Sequence, residues 1–186
     1  MELLPAHRLA MREFDQRVQR TDIDQLDNPT PCSEWSVRDL LNHLISEQLW
    51  VPWLLEGRTL AEVGSRFDGD QVGEAPRAAW NEASGIARSA WDDVSLDGRV
   101  HVTGGTIPTE EYGWQMTMDL AVHAWDLARG IQADATLDPE LVETVHAVFE
   151  PQMDAIQGAG IFAPPEPVPD SADPQSKLLA MLGRRP

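Results

Sequence analysis

Asp119 and His123 stand four residues apart in Asp119-Leu120-Ala121-Val122-His123, inside a helical run. Four residues of α-helix turn about 400°, so the two side chains lie one turn apart on one face, with Cβ atoms roughly 6 Å apart. A carboxylate and an imidazole at that separation can grip one small cation. Two ligands do not make a durable site. A third candidate is His43, in the helical run Asp39-Leu40-Leu41-Asn42-His43-Leu44 far upstream. Two imidazoles and one carboxylate, with positions left open for water or substrate, is a recurring catalytic arrangement for zinc and for non-haem iron. The expected metal ligands are therefore His43, Asp119 and His123.

Each of these residues also has a packing explanation. His43 and His123 sit on or beside apolar stripes, where a lone histidine is more often a hydrogen-bonded core residue. Asp119 is harder to dismiss, because a carboxylate between Met118 and Leu120 is costly to bury unless something cationic pairs with it. Asp126, about one turn beyond His123, can support the site or be simply solvated. Glu47, four residues after His43, reads first as an exposed charge, with further ligand or general base as alternatives. Glu143-Thr144-Val145-His146 matches the Glu-x-x-His element of di-iron bundles, but a second copy is missing, so it reads as surface decoration. Cys32 has no base nearby in sequence and reads as a small buried thiol. His7 and His101 have no companions at ligand spacing. The Gly158-Ala159-Gly160 pair follows a helix rather than a strand and is no dinucleotide fingerprint. The seven tryptophans read mostly as packing, with Trp125 as a pocket-wall candidate.

The chain has 186 residues, with 31 acidic against 14 basic side chains and a net charge of −17. That length points to one domain over 1–186 with a real core. The charge disfavours nucleic acid and anionic membrane surfaces. The longest apolar run, Trp50 to Leu55, is too short to span a bilayer. The amino terminus does not look like a signal peptide, and the single cysteine has no partner, so a cytoplasmic location is expected.

Helical periodicity dominates. The first helix is expected from about Pro5 to Thr21, followed by a non-helical, extended connector at Asn28-Pro29-Thr30-Pro31. Ser36 should cap a second helix with Asp39 completing a near capping box, and Pro52 should kink or end that helix near Trp50. Gly57 to Gly73 reads as a long polar loop. A third helix over roughly Ala75 to Asp92 turns Trp80, Ile86, Ala87 and Trp91 inward. Arg99 to Ile107 alternates around Gly104-Gly105, the pattern of a short hairpin. Thr109, with Glu110 and Glu111 after it, should cap a fourth helix that Gly130 stops. Asp138-Pro139 opens a fifth, ending near Gly158, and a tail helix follows near Gln175 to Leu182. The expected fold is all-α: a bundle of four main helices with accessory helices and one short β-hairpin.

Two blocks carry a family likeness. Asn28-Pro29-Thr30-Pro31-Cys32-Ser33-Glu34-Trp35-Ser36, running on to His43-Leu44, resembles the start of the metal-binding domain of the mycothiol-dependent maleylpyruvate isomerase family. Asp119-Leu120-Ala121-Val122-His123-Ala124-Trp125-Asp126-Leu127-Ala128 resembles its second signature. Both belong to the wider DinB-like group of four-helix metalloproteins. The ending from Phe162 through Asp170 is similar to single-domain relatives described only as metal-binding proteins.

The resemblance implies metal ligands at His43, Asp119 and His123, the set that spacing also selects. The isomerase has glutamate where this chain has Asp119, and a second domain that this chain is too short to contain. The ion implied is divalent, zinc first, with nickel, iron or manganese as alternatives. The implied partners are a small thiol such as mycothiol and a small electrophile, in a transferase or isomerase reaction, and a homodimer is left open. The alternatives are a metal-binding module without catalysis, such as a sensor or degenerate relative, and a plain helical interaction protein without metal. Catalytic residues beyond the ligands are not identifiable.

Overall fold

The computed structural model describes residues 1–153, Ile156 and residues 162–186. It is all-α, with helices α1 (Leu3–Val18), α2 (Val37–Leu55), α3 (Leu60–Val63), α4 (Pro76–Asp92), α5 (Thr109–Gly130), α6 (Pro139–Phe149) and α7 (Pro174–Met181). The one small sheet among the described residues is the expected hairpin, β1 (Arg99–Val102) antiparallel to β2 (Gly105–Pro108), with Val102 opposite Gly105. Thr103 and Gly104 form its turn, one residue earlier than the Gly104-Gly105 pair had suggested. No helix among the described residues is long and apolar enough to cross a membrane.

Four helices form the bundle. α1 packs on α5 and α2 on α4, while α1–α4 and α2–α5 contacts close the ring. α6 and α7 pack on each other, and α6 also touches α1 and α5. The helix placing Asp119 and His123 is central. From Met116 to Ala128 every residue of α5 is buried except Asp119. A helix buried on nearly every side sits in a core, and half-buried Asp119 marks the side that opens outward. α2 is amphipathic instead. Leu40, Leu41, Leu44, Ile45 and Val51 are buried, while half-buried His43, Glu47 and Trp50 follow a neighbouring stripe.

Local signals explain how these helices are held in register. Ser36 caps α2 by accepting from the Asp39 amide, and the Asp39 carboxylate accepts in return from the Ser36 amide at 2.9 Å. The Asn28–Pro31 connector is non-helical but folds back rather than running on. Pro29 bridges to Ser36, and the Thr30 amide donates to the Trp35 carbonyl. Gly130 matters here. A Cβ there would lie 2.7 Å from Val37 Cγ2, so only glycine lets the end of α5 approach the start of α2 this closely.

Several expectations are corrected. α2 does not end near Trp50 but runs through Pro52 to Leu55, because Val51 and Leu54 are buried in a second apolar cluster with Trp91, Val100 and Tyr112. That burial offsets the one lost backbone hydrogen bond. The stretch from Gly57 to Gly73 is not all loop, since Thr59 and Glu62 form a capping box around the one-turn α3. Ile86 is exposed, lying off the stripe that buries Trp80, Ala83, Ala87 and Trp91. Thr109 is the first helical residue rather than the cap; Pro108 precedes it, and the Thr109 amide donates to the Gly98 carbonyl. α6 stops at Phe149, where a 3-10 turn with Pro151 takes over. The expected end near Gly158, and the Gly158-Ala159-Gly160 pair, lie outside the described residues.

Candidate metal centre

α2 contributes His43 and α5 contributes Asp119 and His123, and one ligand atom from each lies within 4.8 Å of the others. His43 Nε2 is 3.2 Å from Asp119 Oδ2, and His123 Nε2 is 3.3 Å from Asp119 Oδ1. The Asp119 carboxylate thus spans two imidazole edges, and the shorter side chain reaches both. The rings stand edge to face with centroids 5.3 Å apart. Trp35 packs against both, at 5.1 Å from His43 and 5.8 Å from His123. It comes from the folded-back connector.

Behind this set is a second, fully packed polar layer. His123 Nδ1 lies 2.9 Å from Oδ2 of Asp126, which is completely buried rather than solvated. Arg184, two residues from the end of the chain, donates from Nη2 to Asp126 Oδ2 at 2.9 Å and from Nη1 to the Leu182 carbonyl at 2.9 Å. The Cys32 thiol donates to Asp126 Oδ2 at 3.1 Å, and Arg184 Nη2 is 3.4 Å from its sulfur. Cys32 is therefore half-buried and has titratable neighbours that its local sequence did not reveal. A buried carboxylate needs a cationic partner, and Arg184 provides it from 58 positions away.

The electrostatics follow from this layering. Burial opposes ionisation of Asp119, but His123 and His43 outweigh it and hold its carboxyl well below the usual range. Burial opposes charge on His123 as well, yet Asp119, Asp126 and Cys32 together hold its pKa well above the ordinary value. His43 is raised in the same way, burial being overcome chiefly by Asp119. Asp126 is lowered despite burial, by His123 and Arg184.

The residues present fit a divalent cation. With the Nδ1 proton of His123 directed to Asp126, loss of the Nε2 proton would leave a lone pair facing Asp119. Two imidazole nitrogens and one carboxylate oxygen then converge, and among the described residues no lysine or arginine pairs with Asp119. Cys32, His123 and Asp126 also cluster at ligand distances. There the Arg184 guanidinium already occupies the cation's role, so that second group does not fit a metal.

His43, Asp119 and Glu47 lie at the base of an open cleft of about 1340 Å³, which Trp50, Tyr112 and Trp114 help to wall. Glu47 is half-buried rather than exposed, with no hydrogen bond or ion pair among the described residues. Burial first, then Asp119, push its carboxyl above the ordinary range, with His43 opposing. The buried Tyr112 hydroxyl has no partner either, and burial, with Glu47 and Asp119, raises its pKa well above 10.0. Trp125 is core and does not line the cleft. His146 lies 3.8 Å from Glu150, and Glu143 is exposed, as surface residues are. His101 meets Thr106 across the hairpin, while His7 is buried against Trp91. Sequence reasoning missed Arg184, Trp35 and Tyr112. The one available signal for Arg184 was Asp126 itself, an acid in a buried run that had to find a cation.

Residues 7–128 match the family described as the mycothiol maleylpyruvate isomerase N-terminal domain. Two proteins of Mycobacterium tuberculosis, one from strain CDC 1551 and one from strain H37Rv, are each 32% identical over 193 residues, covering 99% of this chain and 98% of theirs. Both bear the name uncharacterized protein. Among solved structures, the mycothiol-dependent maleylpyruvate isomerase matches with a TM-score of 0.55 at 17% identity, and a histidine-to-alanine mutant of it with 0.60 at 16%. Each match covers 76% of this chain and 65% of the isomerase chain, a likeness of fold. His43, Asp119 and His123 fall inside the matched family segment, and Arg184 falls outside it.

Proposed function

Since the chain belongs to the mycothiol maleylpyruvate isomerase N-terminal domain family, we propose that it holds one divalent ion, zinc first, at His43, Asp119 and His123 and works with a small thiol of the mycothiol type. The reaction would be a thiol transfer to, or thiol-assisted isomerisation of, a small electrophile. The observation that carries this reading is the Asp119 carboxylate, set between two Nε2 atoms at 3.2 and 3.3 Å, unpaired by lysine or arginine, at the base of an open cleft. An ion bound there supplies a Lewis acid and a stabilised thiolate.

The chain's own residues divide the remaining work. Asp126 accepts a hydrogen bond from the Nδ1–H of His123 and so leaves Nε2 as the ligand atom; Arg184 and Cys32 fix Asp126. Trp35 covers both imidazoles and limits water on that side. Glu47, a cleft carboxyl without a hydrogen bond among the described residues, is placed to exchange a proton with a bound molecule. We read 1–186 as one domain, because one apolar cluster runs from Ala6 on α1 to Leu182 after α7. The competing reading, a metal-binding module without catalysis, draws on the lack of any lysine or arginine among the described cleft residues that could clamp a substrate.

Cobalt-substituted protein titrated with mycothiol tests the thiol role. A new sulfur-to-metal charge-transfer band is expected, and it should be lost in Asp119→Asn. Unchanged spectra with several thiols, together with no conjugation of model electrophiles, would leave the non-catalytic reading.

A further inference from the structure

The cleft above His43 and Asp119 has an uneven chemistry. Its walls are apolar and rich in aromatic rings, with Trp50, Tyr112, Trp114, Phe149 and Phe162 among them. Its charged side chains, apart from His43, are all acids: Glu47 and Asp119 at the base, Glu110 and Glu111 at the mouth. No lysine or arginine lines it among the described residues, and residues 154, 155 and 157–161 contain none in the sequence. Arg184 is a nearby guanidinium, 5.5 Å from the Phe162 ring, but its charge is committed to Asp126.

We infer that this cleft takes an uncharged, largely apolar electrophile that carries a hydrogen-bond donor, and discriminates against di-acids. The inference rests on the metal–thiol reading for the chemistry but on the cleft alone for the selectivity. A bound carboxylate needs a guanidinium, an ammonium or an array of N–H donors to replace its water. Here Asp119 already offsets one of the two charges of a divalent ion, the Glu47 carboxyl lies close to it, and Glu110 and Glu111 are the other acids of the lining. A thiolate at the ion adds another negative charge. The ion-loaded cleft thus has no surplus positive charge to offer a dicarboxylate such as maleylpyruvate, and low-dielectric walls strengthen the repulsion. An uncharged ring or chain meets the opposite situation, because aromatic walls favour its burial. The Glu47 carboxyl, without a hydrogen-bond partner among the described residues, can accept from an amide N–H or a hydroxyl on the substrate.

Matched probes of one shape test this. Isothermal titration of the zinc-loaded chain with cinnamamide and with cinnamate should show the amide binding at least tenfold tighter. The double variant Glu110→Lys/Glu111→Lys should narrow it by strengthening cinnamate binding, with metal content unchanged. Equal or tighter binding of cinnamate to the unaltered chain overturns the inference, and so does binding of neither probe. The cobalt–thiol band, recorded on the same preparation, separates the two claims. A band with cinnamate preferred sinks only the selectivity; no band with the amide preferred sinks only the thiol chemistry.

Discussion

The Nδ1 edge of His123 rests 2.9 Å from Asp126 Oδ2, about one helical turn further along α5, while its Nε2 edge faces Asp119. One imidazole therefore links a carboxylate that opens to the cleft with one that is wholly buried. The buried partner fixes the ring's tautomer and orientation, as carboxylates behind ligating histidines commonly do.

Asp126→Asn keeps the volume but weakens that acceptor and leaves Arg184 without its ion pair. Metal affinity is expected to fall roughly 10- to 100-fold. Stability should also drop by about 3 kcal/mol, the scale for an uncompensated buried charge. The double substitution Asp126→Asn/Arg184→Met should recover much of the stability and little of the metal affinity. Competition with a chromophoric chelator reads the affinity. Wild-type affinity in Asp126→Asn would remove the positioning role.

Metal uptake should be proton-linked. His43 and His123 carry raised pKa values in the metal-free chain, chiefly through Asp119 against the opposing effect of burial. Both rings must lose that proton to ligate, so binding at neutral pH releases protons and the affinity rises with pH. Titration calorimetry in buffers of different ionisation enthalpy counts the protons. Proton-neutral binding at pH 7 would show that both rings are already neutral in the metal-free chain.

A different histidine should set part of the acid stability. Burial, with Arg8 adding to it, lowers His7 from 6.5 to about 4. The folded chain keeps this ring neutral while the unfolded chain protonates it, so the unfolded state binds more protons between those values. The contribution is fully present above pH 6.5 and is lost as pH falls toward 4, on the order of 3 kcal/mol in all. His7→Phe, which keeps a ring against Trp91, should lose less Tm than wild type on acidification from pH 7 to 4.5. Parallel curves would show that His7 titrates normally.

Much of the bundle was legible because its signals are local. Ser36 with Asp39, and Asp138 with Pro139, mark helix starts that the structure contains. The ligand trio was legible as a candidate because two of its members share one helix face and the third lies on another strongly patterned helix. What was not legible depends on packing across the chain. Arg184 reaches Asp126 from just beyond the tail helix, where no helical pattern places it, and Cys32 meets both only because the connector folds back. Glu47 looked like an exposed charge because a helix wheel does not reveal a cleft, which needs α2, α3, α5 and the hairpin together. Pro52 misled for a related reason, since the burial of Val51 and Leu54 outweighs one missing hydrogen bond.

Metal should also tie the bundle together. The ligands come from α2 and α5, so an ion that binds only the folded state adds about 2.7 kcal/mol at a hundredfold excess over its Kd. Chelation should lower the Tm without unfolding the chain at 25 °C. Identical Tm values with and without metal would argue against a site shared by two helices.

The most direct test is the metal content of the purified chain by elemental analysis, beside His43→Ala, Asp119→Ala and His123→Ala. One divalent ion per chain is expected in the wild type, with most of it gone in each variant while the helical circular dichroism is retained. Full occupancy in His123→Ala, or a metal-free wild type that takes up no zinc on addition, would contradict a centre built on these three residues.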